Sequence, residues 1–112
     1  LRPGRTLLEC QAAATRAIEA VAHRLGLSRE AASAAWQHRI YHHIGLEVHD
    51  PMPDHLPLQP GAVIAVEPGI YAPSAGCGIR LENTVAITAE GTENLTKDIP
   101  LSAPEIEALM LG

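Results

Sequence analysis

The chain has 112 residues with 13 acidic and 8 basic side chains, a net charge of −5, which argues against nucleic acid or an anionic membrane surface as partner. An apolar fraction of 46% argues against disorder, and no apolar stretch approaches the ~20 residues of a membrane span. With no Phe, one Trp and two Tyr, the core falls to Ala, Val, Ile and Leu, and the length holds one small domain at most. The composition predicts a soluble, cytoplasmic protein. Cys10 and Cys77 lie far apart and outside any C-x-x-C pair, so buried thiols are expected in place of a disulfide or a thiolate zinc site. The first residue is Leu, which raises the expectation of a piece of something larger.

Thr6-Leu7-Leu8-Glu9 has the spacing of a capping box, in which hydroxyl and carboxylate each satisfy a backbone N–H at a helix start. Leu8, Ala14, Ile18, Val21, Ala22 and Leu25 then recur near helical spacing up to Gly26, which predicts a helix over Leu7 to Leu25. Ser28 is placed to cap a shorter, Ala-rich helix over Arg29 to Trp36. From His38 the histidines crowd, and Gly45 with prolines at 51, 53 and 57 interrupts any regular element, so a strand followed by a loop is expected. Gly61 to Glu67 reads as a short buried strand and Ile70 to Ala72 as a further extended piece. Ile79 to Thr88 alternates apolar and polar residues and is expected to be one strand, ended by a turn at Glu90-Gly91. Ser102-Ala103-Pro104-Glu105 repeats the capping-box spacing with Pro in the first turn, predicting a last helix to Leu111.

The polar residues that sit badly with their surroundings locate the chemistry. Glu67 interrupts an apolar strand, and Arg80 and Glu82 share one face of the alternating segment. A buried carboxylate needs a cation or a metal. Carboxylates with one imidazole suit Mn, Co, Fe or Zn, and the histidines from His38 to His49 supply candidates. An ion pair between Arg80 and Glu82 on a solvent-facing strand, with histidines that are merely exposed or hydrogen-bonded, accounts for the same residues. Composition and spacing leave both readings open.

Three stretches carry a resemblance. His38 to Pro51, then Leu58-Gln59-Pro60-Gly61-Ala62-Val63 running into Glu67-Pro68-Gly69-Ile70-Tyr71, then Gly78 to Val85, resemble three consecutive signatures of the pita-bread metallopeptidases, within them the aminopeptidase P and Xaa-Pro dipeptidase branch. The likeness extends from Pro3-Gly4 to Glu93-Asn94-Leu95-Thr96. It implies an α+β fold, half of a pita-bread domain, with two helices packed on a curved, mainly antiparallel sheet and a short C-terminal helix. It implies a metal-dependent hydrolase that cleaves the Xaa-Pro bond of dipeptides or of peptides with Pro in second position. Two divalent ions are implied, manganese first, with cobalt, zinc or iron as alternatives, together with a homo-oligomer when full length.

By the same resemblance His42, Glu67 and Glu82 match three of five metal-ligand positions. His38 and His49 match histidines that contact substrate and stabilise the tetrahedral intermediate. Glu67 also matches the carboxylate that takes the water proton, and Arg80 would hold the acidic groups in place. Arg80 favours the proline-directed branch, since related methionine aminopeptidases usually carry Gln there. Tyr41 and His43 depart from the family, which often has Gly on either side of the ligand histidine. The two remaining ligands are aspartates in a preceding half, so residues 1–112 are expected to be the C-terminal portion of a single catalytic domain, inactive when isolated. A non-catalytic binding module and a metal-free hydrolase of the creatinase type share the fold. Relatives that lose catalysis usually lose ligand residues, which are retained here.

Overall fold

The computed structural model describes residues 1–28 and 38–112; the helix expected over Arg29 to Trp36 lies outside the described residues. The first helix, α1, spans Leu7–Arg24. Its capping box forms as the spacing predicts: the Glu9 N–H donates to the Thr6 hydroxyl at 3.2 Å and the Thr6 N–H donates to the Glu9 carboxylate at 2.9 Å. The Thr6 backbone bond, helped by Arg5, holds the Glu9 carboxyl below its ordinary range. Beyond the helix end, Gly26 adopts a φ of +76° and the Leu27 N–H returns to the Ala22 carbonyl, the left-handed stop that a residue without a β-carbon makes cheaply. No described helix is long and apolar enough to cross a membrane.

Four short strands, β1 (Tyr41–His43), β2 (Val63–Val66), β5 (Asn83–Ile87) and β6 (Thr92–Asn94), form an antiparallel sheet in the order β1-β2-β5-β6. Between β2 and β5 the chain makes a two-stranded ribbon of β3 (Gly69–Ala72) and β4 (Cys77–Arg80), turned by a 3-10 segment at Pro73–Ala75 and by Gly76 at φ +67°. β6 follows a turn closed by the Thr88 N–H to the Gly91 carbonyl; a three-residue strand of Thr, Glu and Asn has no apolar alternation by which its sequence could reveal it.

The core lies between α1 and one face of the larger sheet. Leu7 is buried with Ile40, Tyr41, Leu58, Ile64 and Ile87, and Cys10, Ala14 and Ile18 extend the helix's stripe against them. That spacing is the one-sided pattern of an amphipathic helix. Cross-strand pairing puts His43 beside Ile64, and so on the core face, and His42 beside Ala65 on the other. The last helix, α2 (Ala103–Leu111), starts in a second capping box between Ser102 and Glu105 and buries none of its residues. Cys77 is exposed and Cys10 only partly covered, which corrects the expectation of buried thiols: Cys77 stands on the ribbon, outside the core.

The expected single strand from Ile79 to Thr88 is two strands. Val66 pairs with Asn83 and Gly69 with Arg80, so one antiparallel register runs through both sheets and is interrupted only at Glu67-Pro68 and Leu81-Glu82. Pro68 has no N–H to give to a ladder, and what remains there is the Leu81 N–H to the Pro68 carbonyl at 3.2 Å. Glu67 therefore lies in a connection, not within a strand, and stands opposite Glu82.

Candidate metal centre

An open cavity of about 810 Å³ lies beside the edge strand β1, and its wall includes His38, His42, His49, Asp50, Glu67 and Arg80. All but the neighbours His49 and Asp50 reach it from different pieces of chain. His38 precedes β1, His42 is its central residue, His49 lies in the loop that follows, Glu67 ends the β2 approach and Arg80 closes β4.

His42 is held in one orientation. Its Nδ1 lies 2.9 Å from the His43 carbonyl oxygen, so Nδ1 carries the proton and Nε2 presents its lone pair. This is the arrangement that makes imidazole a metal ligand. Nε2 lies 3.9 Å from Glu67 Oε1. That is too long for a hydrogen bond, but two donors at ~2.1 Å from one ion stand about 3 to 4 Å apart. The His49 ring meets His42 edge to face with centroids 4.9 Å apart, and one ligand atom each from His42, His49 and Glu67 lie within 4.8 Å of one another. Two imidazoles and a carboxylate fit a borderline divalent ion of the Mn to Zn series.

The other Glu67 oxygen, Oε2, lies 3.7 Å from Arg80 Nη1, and Arg80 Nη2 is 3.9 Å from Glu82 Oε2. Arg80 thus links the two carboxylates that the register sets opposite each other. The Glu67 side chain is only 12% exposed while that of Glu82 is 45% exposed, so Glu67 is the more enclosed of the two. Of the expected ligands, the structure groups His42 and Glu67 directly. It adds His49, and it reaches Glu82 through Arg80. Both the ion-pair reading and the metal reading of the sequence thus have a counterpart in the fold.

His38 is oriented from both ends: Nδ1 lies 2.6 Å from the Arg39 carbonyl oxygen, and Nε2 accepts from the Tyr71 hydroxyl at 2.7 Å. The Tyr71 ring lies along the β3–β4 ribbon. A β-carbon at Gly69 would fall 2.7 Å from its hydroxyl and one at Gly78 2.8 Å from its ring, so these glycines make the bed for that side chain. Sequence reasoning passed over Tyr71. Its signal was available, one of only two tyrosines, set in the Glu-Pro-Gly segment.

His43, the departure from the family pattern, projects to the core side. Its Nε2 is buried without a hydrogen-bond partner among the described residues. Burial lowers its pKa from 6.5, opposed by the nearby Asp50 and Asp54 carboxylates. At the same wall Arg39 forms an ion pair with Asp54. Burial, together with the Asp54 charge, raises the pKa of the Tyr41 hydroxyl.

The sequence model of metallopeptidase family M24 matches residues 1–89, and the chain belongs to that family. It is 35% identical to the Xaa-Pro aminopeptidase of Escherichia coli over 132 aligned positions, covering 99% of this chain and 30% of that protein. Its fold superposes on Pseudomonas aeruginosa aminopeptidase PepP with a TM-score of 0.84 at 36% identity, over 99% of this chain and 30% of the other. Zinc-substituted Escherichia coli aminopeptidase P in complex with product gives 0.82 at 36% identity, over 98% and 30%. The architecture is the pita-bread α+β fold of these enzymes, and the chain spans less than a third of their length.

Proposed function

We propose that the chain is the C-terminal portion of the catalytic domain of an Xaa-Pro metallopeptidase, acting on peptides with Pro in second position. The observation that carries this reading is the convergence of His42, His49 and Glu67 in one cavity, with Arg80 behind Glu67. His42 and Glu67 would hold a divalent ion directly. Glu82, steadied by Arg80, would complete this portion's share of a two-ion site, and manganese, cobalt, zinc and iron all suit such donors. The bound ions supply a water made nucleophilic at neutral pH and polarise the scissile carbonyl.

The chain's own residues do the rest. Glu67, shielded from solvent and tied to Arg80, takes a proton from the attacking water as the C–O bond forms. It returns that proton to the prolyl nitrogen as the C–N bond breaks. Arg80 keeps the carboxylate aimed through both turnovers of that proton. His49, exposed at the rim and in this reading beside the ion without ligating it, donates to the carbonyl oxygen as charge grows there. His38, with Nδ1–H committed to a carbonyl and Nε2 to Tyr71, is a fixed wall that orients the peptide. A cytoplasmic, homo-oligomeric enzyme is part of the same reading, which rests on the family relation.

The test is cleavage of an Xaa-Pro peptide by the complete protein. Activity that chelation abolishes and manganese or zinc restores is expected, with none from the isolated 112-residue chain, which lacks the aspartate ligands. Turnover indifferent to chelation would favour the metal-free type, and none at all a binding module.

A further inference from the structure

The loop that carries His49 is closed by its neighbour. Asp50 pairs with His43 in an isolated antiparallel bridge, so the loop leaves β1 and returns to it. Inside the loop the Asp50 Oδ1 accepts the Glu47 N–H at 3.2 Å. The same carboxylate rests directly on Gly45, where any β-carbon would overlap both its oxygens and its Cγ. Gly45 has no positive φ. The position needs glycine for space and not for conformation, and the space is filled by Asp50.

These contacts bear on chemistry because of what lies on either side. His42 stands one residue before the bridge at its β1 end and His49 one residue before it at the other, and their rings meet at 4.9 Å, nearly perpendicular. Among the described residues the other hydrogen bond from this loop lies at its start, the Ile44 N–H to the Val63 carbonyl at 3.3 Å, and farther along it the Leu46 and Val48 side chains stand in solvent. We infer that Asp50, seated on Gly45, is the positioning residue that sets His49 against His42. This inference rests on the role given to His49 above. A loop anchored at one side chain holds a rim imidazole at a set height over the reacting carbonyl, whereas an unanchored loop samples many, and small misplacements of such donors are costly in rate.

The experiment uses the complete protein and the variants Asp50→Ala, Asp50→Asn and Gly45→Ala. Asp50→Ala is expected to lower kcat for an Xaa-Pro peptide by about 10- to 100-fold, the usual range for removing a group that orients a site residue, with KM little changed. Asp50→Asn retains an oxygen acceptor for the Glu47 N–H and is expected to recover most of the rate. Gly45→Ala, which expels the carboxylate, should repeat the Asp50→Ala loss. In a His49→Ala background Asp50→Ala should cost almost nothing more, because its effect passes through His49. A structural readout stands apart from activity: by NMR, Asp50→Ala should abolish the His42–His49 ring contact and the slow exchange of the Glu47 amide, while thermal unfolding stays cooperative. If the wild-type protein does not cleave Xaa-Pro peptides, the functional reading fails, while the ring contact and amide exchange still decide the positioning claim. Full additivity of the two substitutions, or a ring contact that survives Asp50→Ala, overturns it.

Discussion

Glu67 and Glu82 stand opposite each other across a break in a single antiparallel register, and the Arg80 guanidinium lies 3.7 Å from one and 3.9 Å from the other. Opposed residues of an antiparallel register carry their side chains on one face, which brings both carboxylates within reach of the one guanidinium. Replacing Arg80 should therefore act on chemistry and hardly on folding. Arg80→Met is expected to lower kcat/KM on an Xaa-Pro peptide by about 10- to 100-fold, as loss of outer support for metal-site carboxylates commonly does. Arg80→Lys should rescue little, because one ammonium cannot serve two carboxylates with a planar fork. The Arg80 side chain is half exposed, so the thermal midpoint should barely move. A large loss of stability with kcat/KM intact would contradict this assignment.

How much of this was legible in the sequence depends on the range of the interaction. Both capping boxes form as read, because Thr6 with Glu9 and Ser102 with Glu105 are closed within one turn. The strand at Val63–Val66 was visible from its β-branched run. The break at Leu81-Glu82 was not, since alternation of side chains continues across it and the cause, Pro68, sits opposite it in the connection between β2 and β3. The same holds for the site. Glu67, Arg80 and Glu82 stood out as charges among apolar residues, but Tyr71 bonds a histidine that precedes it by 33 positions. Gly45 read as a breaker, whereas its reason is the carboxylate five residues on.

The second prediction concerns Tyr71. Tyr71→Phe keeps the ring between Gly69 and Gly78 and removes only the hydroxyl that donates to His38 Nε2. Folding should change by about 1 kcal/mol, the net value of an ordinary hydrogen bond. Gly78→Ala instead displaces the ring itself. It should cost more in stability and at least as much in peptide cleavage, as read by denaturant unfolding beside kcat. A Gly78→Ala protein indistinguishable from wild type would mean that the ring is not seated as described.

A third expectation follows from His43. Burial lowers its pKa from 6.5, so the folded state resists a proton that the unfolded chain accepts. Stability from this group is fully present above the unfolded value of 6.5 and is lost as pH falls from there toward the lowered folded value. Glu9 and Glu105, both lowered by their caps, add a separate loss below their ordinary 4.5. His43→Phe should flatten the first step of a plot of unfolding free energy against pH and leave the second. An unchanged first step would show that another group governs it.

The last prediction sets two parts of the chain against each other. Leu58 and Ile64 are fully buried in the cluster beneath α1, and truncating either to Ala should cost about 2 to 5 kcal/mol, the range for removing buried aliphatic side chains. That is a large share of the ~5 to 15 kcal/mol available to a domain. Helix α2 buries none of its residues and leaves Leu109, Met110 and Leu111 at 69%, 80% and 89% exposed. Removing 103–112 should therefore leave the thermal midpoint nearly unchanged. Its apolar side chains, added to Ile79 on the ribbon at 69% exposed, give the 112-residue chain a surface of the kind that drives association. Light scattering on that chain should show a mass that rises with concentration and falls when 103–112 are removed. A strictly monomeric chain, or a truncated one that melts well below the intact one, would mean that α2 is seated against the body of the fold.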